Sequence, residues 1–231
     1  MSEINESIAR TFDINIDQAF EIRQRSESLK IAKSVLDIAR IAVDFATIER
    51  VPRYTSTRRE NDAEHSFMLG LVATEIAFNH FPELDRGLVS QFALVHDLVE
   101  LETNDVPTFK IDEAGIIAKT LAEQKATEKL VKILPRYMSQ LVLRYEAQVE
   151  LESIFVRFVD KLLPYAVDHV TGTLKQVMSE DYNVNTLPEF LIANECVESR
   201  LQIFFPEPKH EVLHRAHNKL SDLNAMEYDE A

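Results

Sequence analysis

The chain has 231 residues, of which 45% are hydrophobic, and a formal net charge of −14 at pH 7. That length can bury a core and fits one large domain or two small ones, while the acidic charge argues against a nucleic-acid polymer, which binds to a basic surface. The four glycines lie too far apart to form a phosphate-binding loop, and the single cysteine excludes an internal disulfide and a thiolate metal site.

Composition and hydropathy favour one all-α domain. Glycine is scarce, whereas Ala, Leu, Glu and Ile are abundant. We expect a helical domain over residues 1–231, with a motif-bearing core at about 30–178 and a C-terminal helical extension at about 179–226. The polar N-terminus shows no signal-peptide pattern, and no apolar run is long enough to cross a bilayer. We therefore expect a cytoplasmic protein with no membrane partner.

The first predicted helix runs from Asp17 to Thr47, where apolar residues recur at the spacings of one helix face. It ends before Pro52, because proline disfavours helical geometry in the residue that precedes it. The next segment, residues 50–59, holds four arginines and no predicted helix. In so acidic a chain, this local concentration of positive charge could attract a small anionic substrate.

A capping-box pattern opens the second predicted helix. Asn61 can cap a helix, and Glu64 three residues later can return the hydrogen bond, which predicts a helix over 62–80. A third helix is predicted over 86–102, followed by a loop at 104–107. Further helices are predicted over 112–134, 137–147, 150–178, 187–204 and 208–224, before an acidic tail from 227 onwards that we expect to be disordered.

The dipeptide His96-Asp97 lies in a strongly apolar part of the third helix. A buried carboxylate is costly unless it is paired or binds a cation, and an imidazole beside a carboxylate is a suitable pair of ligands for a divalent metal. Glu100 lies four residues after His96 and shares its helix face. The pattern therefore indicates a hydrolytic metal site, provided that other residues complete the ligand set.

Two residues elsewhere in the chain can complete that set. His65 falls in the first turn of the second predicted helix, and Asp160 lies in the most apolar predicted helix, where an uncompensated carboxylate is costly. Pro164 cannot donate to the Asp160 carbonyl, so this helix should bend or loosen there. Two imidazoles and two carboxylates suit a divalent ion that keeps open positions for water and substrate.

A His, a later His-Asp pair and a still later Asp on a helix resemble the HD-domain metal-dependent phosphohydrolases, whose fold is a helical bundle. Over residues 50–165 the chain is most similar to the YfbR-type 5'-deoxynucleotidases. The motifs that carry this resemblance are Arg50-x-Pro52, Arg58, Glu60-Asn61, Glu64-His65-Ser66, His96-Asp97-x-x-Glu100 and Asp105-x-Pro107-Thr108. The C-terminal helices after this segment are additional to the motif-bearing bundle.

The resemblance implies a role for each matching residue. One divalent metal ion, such as Co²⁺, Mn²⁺ or Mg²⁺, would be held by His65, His96, Asp97 and Asp160. The implied catalytic residues are Asp97 and Glu100, of which Glu100 would position or deprotonate the attacking water. The implied substrate contacts are Arg50 for the phosphate, Asp105 for the sugar hydroxyl, and Arg58 and Thr108.

Two departures refine these expectations. Val51 occupies a position where those nucleotidases have a tryptophan that helps to read the sugar, so a strict preference for deoxyribose is not carried over. HD proteins with two metals use additional histidines between the His-Asp pair and the last Asp, and this chain has none between Asp97 and Asp160. A single metal is therefore expected.

We expect an enzyme that releases phosphate from a small, nucleotide-like phosphomonoester. Two alternatives stay open: an HD hydrolase of a nucleoside triphosphate or alarmone, and a non-catalytic helical regulatory protein that keeps the metal for stability. A homodimer formed through the amphipathic helices is compatible with the pattern. The dipeptide Asp168-His169 repeats the His-Asp pairing in reverse order, and we interpret it as the polar edge of its helix.

Overall fold

The computed structural model describes residues 16–105, 109, 111–206 and 210–229, and these residues form helices and one two-stranded hairpin, which confirms the all-α expectation. The strands are β1 (Glu49–Thr55) and β2 (Arg58–Asn61). The helices are α1 (Ile16–Phe45), α2 (Asp62–His80), α3 (Arg86–Val95), α4 (Glu100–Thr103), α5 (Glu113–Ile133), α6 (Arg136–Ala147), α7 (Leu151–Thr171), α8 (Leu174–Tyr182), α9 (Leu187–Phe204) and α10 (Glu211–Asp229). No described helix is both long enough and apolar enough to cross a membrane.

The chain divides into two units, Met1–Val43 and Asp44–Ala231. In the first unit the described residues belong to α1, and its apolar side chains are exposed, with Leu29 at 68% and Leu36 at 65%. The second unit contains all the residues of the predicted metal site. The organisation of residues 1–231 as a single domain stays a prediction.

The hairpin β1–β2 was not predicted from the sequence. Its strands run antiparallel, and the register shifts between Glu49 and Arg53, in the part of β1 that contains Pro52. A proline has no N–H to donate to a ladder, so it belongs at such an irregularity. Ion pairs connect the hairpin to α8. Arg53 pairs with Glu180 and Asp181, and Arg59 pairs with Asp181.

Helix α2 begins where the capping box predicts. The Asn61 side chain accepts a hydrogen bond from the Glu64 N–H at 3.0 Å, and the Glu64 side chain accepts one from the Asn61 N–H at 3.2 Å. Both donors would otherwise lack partners at the helix start. This cap places His65 in the first turn of α2, where it is buried.

The prediction of one helix over 86–102 is wrong. Helix α3 ends at Val95, and a tight turn over 96–99 separates it from α4. Within that turn Leu98 N–H donates to Val95 C=O, and Glu100 N–H donates to Asp97 C=O, both three residues back. This spacing is that of a 3₁₀ turn. His96 and Asp97 therefore lie on a turn between two helices rather than inside one.

The predicted helix over 150–178 is also divided. Helix α7 ends at Thr171, and Gly172 has a φ of 63°, which glycine adopts without steric cost. Helix α7 continues through Pro164. At the other end of the chain, α10 extends to Asp229, so the acidic tail is helical from 227 to 229, and the expected disorder is wrong there.

The core of the second unit forms around α7. This helix packs against α2, α3, α6, α8, α10 and β1. Phe92 of α3 and Phe158 of α7 are fully buried, and burial of such rings is a principal stabilising contribution in a domain core. Because α2, α3 and β1 all contact α7, residues distant in sequence meet on one face of that helix.

Helix α9 offers a test of local stability away from the site. The Thr186 side chain accepts from the Glu189 N–H, and the Glu189 side chain accepts from the Thr186 N–H. Replacing Thr186 with Ala should cost about 1 kcal/mol, because the cap is lost, and should lower Tm by about 2–4 °C in a protein of this size. Ser199→Ala, on the exposed surface of the same helix, should leave Tm almost unchanged. Equal melting temperatures for the two variants, measured by circular dichroism, would contradict the cap.

Candidate metal centre

The four predicted metal ligands converge in the structure. One ligand atom from each of His65, His96, Asp97 and Asp160 lies within 4.8 Å of the others. The first comes from α2, the next two from the turn after α3, and the last from α7. The two imidazoles are nearly inaccessible, and their ring centroids are 5.3 Å apart. Two imidazoles and two carboxylates are a donor set that suits a divalent ion.

Both nitrogens of His65 face carboxylates. Its Nδ1 lies 3.0 Å from Oε1 of Glu60, and its Nε2 lies 2.9 Å from Oδ1 of Asp160. Glu60 is fully buried. A proton on Nδ1 donated to Glu60 leaves the Nε2 lone pair free for a metal, and it fixes the orientation of the ring. The sequence motif contains Glu60, but no role was predicted for it.

His96 presents an unsatisfied nitrogen to the same space. Its Nδ1 donates to the Ala93 carbonyl at 2.9 Å, which leaves Nε2 as the lone-pair nitrogen. That Nε2 is buried and forms no hydrogen bond within the described residues. It lies 2.9 Å from Oδ2 of Asp97 and 3.7 Å from Oδ1 of Asp160. The lone pair of this nitrogen therefore faces two carboxylate oxygens in a buried space. A cation bound between them would interact favourably with all three atoms, so these residues fit a metal.

The two ligand carboxylates are held in their ionised form. Burial alone would raise the pKa of Asp160, but the Lys161 ammonium, whose Nζ lies 2.6 Å from Oδ2, lowers it. Burial likewise opposes the ionisation of Asp97, and the Arg50 guanidinium lowers the pKa of that carboxyl. An ionised carboxylate is the form that binds metal.

Arg50 lies among carboxylates at the end of β1 nearest the site. Its Nη1 donates to Oδ2 of Asp97 at 2.7 Å and to Oδ1 of Asp62 at 3.0 Å, and it lies 3.8 Å from Oε2 of Glu100. Its Nε lies 3.3 Å from Oε1 of Glu60. Asp62, Asp97 and Glu100 are near enough together to hold an ion themselves. The guanidinium already supplies positive charge to that second group, which supports the expectation of one metal.

Glu100 is buried beside the ligand set without belonging to it. Its carboxylate lies near Arg50 and 3.9 Å from Nζ of Lys119. Burial, with added repulsion from Asp97 and Asp105, raises the pKa of Glu100 well above the ordinary range of a carboxylic acid. A cation bound next to it would oppose this rise. The position of Glu100 suits a proton acceptor for a water at the metal.

A cavity of about 310 Å³ opens from the ligand set. Arg50, Asp97, Glu100 and Asp105 line it, so the structure places four of the predicted catalytic and substrate-binding residues together. Arg58 lies outside this lining, where its guanidinium pairs with Glu64 and its side chain is 53% exposed. Its substrate contact stays a prediction that the geometry does not support. The prediction for Thr108 falls outside the described residues.

Glu60 generates a prediction about metal affinity. Glu60→Gln keeps the shape of the side chain but removes the charge that faces His65 Nδ1. The affinity for Mn²⁺ or Co²⁺, measured by titration calorimetry, should fall by about ten- to a hundred-fold. Glu64→Gln is the matched control, because Gln also completes a capping box. If the two variants bind metal equally well, Glu60 does not position His65.

The comparisons with known proteins agree with this geometry. Residues 46–187 match the family model of the HD domain. A 5'-deoxynucleotidase of Enterobacter sp. (strain 638) is 29% identical over 171 residues, which cover 67% of this chain and 77% of that protein. A 5'-deoxynucleotidase of Pectobacterium atrosepticum is 30% identical over 127 residues, which cover 51% of this chain and 64% of that protein.

A solved structure is similar as well. The crystal structure of a predicted metal-dependent phosphohydrolase from Magnetospirillum magnetotacticum MS-1 matches with a TM-score of 0.63 and 27% identity, over 85% of this chain and 93% of that one. The family match spans more than half of the chain, and the names of both nucleotidases agree with the resemblance that the motifs carry. The chain therefore belongs to the HD domain family.

Proposed function

We propose that the chain is a metal-dependent phosphohydrolase that releases phosphate from a small, nucleotide-like phosphomonoester, as a 5'-nucleotidase does. The observation that carries the proposal is the convergence of His65, His96, Asp97 and Asp160 at the head of a cavity, with Glu100 buried beside them. A divalent ion held by these four residues supplies Lewis acidity and lowers the pKa of a bound water. The names of the similar nucleotidases and of the similar phosphohydrolase support this class of reaction.

Glu100 and Arg50 perform separate tasks in this proposal. Glu100 accepts the proton of the attacking water, because its carboxylate is buried beside the four ligands and contacts Arg50 instead of belonging to the ligand set. Arg50 contacts the phosphate oxygens, since a guanidinium matches them in shape and offsets the charge that develops during transfer. Its present contacts with Asp62 and Asp97 hold the guanidinium in place at the cavity. Asp97 serves as a metal ligand and as an acceptor for Arg50.

A monoester is the proposed substrate class because the two similar proteins are named 5'-deoxynucleotidases. Asp105 lines the cavity next to Glu100 and is proposed to accept a hydrogen bond from a sugar hydroxyl. Because Val51 lacks the ring of the tryptophan that the YfbR-type resemblance implies at this position, we propose no strict preference for deoxyribose.

Two substitutions test the proposed function. Asp97→Ala should abolish metal binding and phosphate release, because it removes a ligand and the partner of Arg50. Glu100→Ala should keep the metal but lower kcat by about 10²–10⁴-fold, the usual contribution of a general base. Phosphate release would be measured on nucleoside mono-, di- and triphosphates with Co²⁺, Mn²⁺ or Mg²⁺, and metal binding by calorimetry.

Glu128→Ala, on the exposed surface of α5, is the control and should retain full activity. Full activity in Asp97→Ala would refute the proposed function. Metal binding without turnover of any phosphate ester would favour the alternative of a non-catalytic regulatory protein. A preference for triphosphates would favour the alternative of an HD hydrolase of nucleoside triphosphates.

The homodimer stays a prediction. Exposed apolar side chains along α1, among them Leu29 and Leu36, are a surface that a second copy could bury. Sedimentation velocity on the full chain tests it, and a monomer at micromolar concentration would contradict it.

A further inference from the structure

The cavity extends beyond the metal ligands along α7. Asp160, Pro164 and Asp168 are spaced four residues apart, lie on one face of this helix and all line the cavity. At the usual rise of a helix, Asp168 lies about 12 Å further along the axis than Asp160. A nucleoside monophosphate with its phosphate at the metal ligands would extend its base towards that end of the cavity.

The far part of the cavity has an apolar wall. Tyr165, Leu174, Val177, Met178 and Phe190 form a buried cluster and also line the cavity. Val51, Phe109 and Tyr182 pack against this cluster. Flat aromatic and apolar surfaces are what the faces of a nucleobase bind. The wall starts at Val51, next to Arg50, so the phosphate end and the apolar end of the cavity are continuous.

Asp168 is a buried acidic residue beside this apolar wall. Its side chain is 5% exposed, so the interpretation of Asp168 as a polar helix edge is wrong. Its Oδ1 is buried and has no hydrogen-bond partner within the described part of the chain. Burial and the nearby Glu227 and Glu60 raise the pKa of Asp168 to about 7. A buried acceptor of this kind costs free energy until a donor reaches it.

We infer that Asp168 recognises the base of the substrate, and that the favoured base is guanine. This inference rests on the proposed function for the nucleotide class of the ligand. The two oxygens of a carboxylate match two adjacent N–H donors, and the ring N1–H and exocyclic amine of guanine form such a pair. Thymine offers one N–H between two carbonyl groups, and these carbonyls repel a carboxylate. The apolar wall holds the faces of the base, and Asp168 reads its edge.

The test compares dGMP with dTMP as substrates of the metal-loaded protein. The wild-type ratio of kcat/KM for dGMP over dTMP should be about ten- to a hundred-fold, the discrimination expected of a two-bond contact to a base. Asp168→Asn keeps the shape but replaces one acceptor by a donor, and the ratio should fall towards one. Asp222→Asn, on the exposed face of α10, is the matched control and should keep the wild-type ratio.

A binding measurement without catalysis separates this inference from the proposed function. Deoxyguanosine and thymidine, which carry no phosphate, would be titrated into the wild type and Asp168→Asn by calorimetry. Tighter binding of deoxyguanosine, weakened by the substitution, supports the inference even if no phosphate ester is hydrolysed. Hydrolysis of dGMP and dTMP at equal kcat/KM in the wild type overturns the inference while leaving the phosphohydrolase proposal intact. The wild-type comparison alone decides the matter if Asp168→Asn does not fold.

Discussion

The burial of carboxylates around Arg50 is the constraint on which the candidate site depends. Glu60, Asp62, Asp97 and Glu100 all approach this one guanidinium. Mutual repulsion among buried acids would favour opening of the fold at this point unless positive charge entered it. Arg50 supplies one part of that charge, and the fit of the His and Asp ligands to a cation accounts for the other. The substrate phosphate brings further negative charge, so the same cations that permit the fold also permit the reaction.

The sequence predicted helices correctly where a capping motif or a single apolar face marks them. Asn61 and Glu64 mark the start of α2, and their side chains form the expected reciprocal hydrogen bonds. The break after Val95 was missed because the turn over 96–99 contains no glycine or proline to mark it, and periodicity over four residues cannot distinguish such a turn from a helix. The hairpin β1–β2 was missed because the sequences of its two strands do not alternate between apolar and polar residues, and Pro52 argues against a strand.

The metal ligands were predictable because each is chemically unusual where it stands. His96, Asp97 and Asp160 are polar groups within apolar segments, and that contrast is visible in the sequence. Glu60 gives no such signal, because an acid in a charged segment reads as a surface residue until its contact with His65 is known. The interpretation of Asp168 as a polar helix edge failed for a related reason, because its burial depends on helices that are distant in sequence. In both cases, the role of a residue behind the metal ligands or the cavity wall becomes visible only from its tertiary contacts.

The ion pairs between the hairpin and α8 have a consequence for how the cavity opens. Arg53 and Arg59 tie the hairpin to Glu180 and Asp181, while β1 also carries Arg50 and α8 also carries Met178. These ion pairs therefore hold two walls of the cavity together. Glu180 is partly solvent-exposed, so dissolved salt weakens its pair with Arg53. Higher ionic strength therefore weakens the contact between these two walls through ion pairs that do not touch the metal ligands.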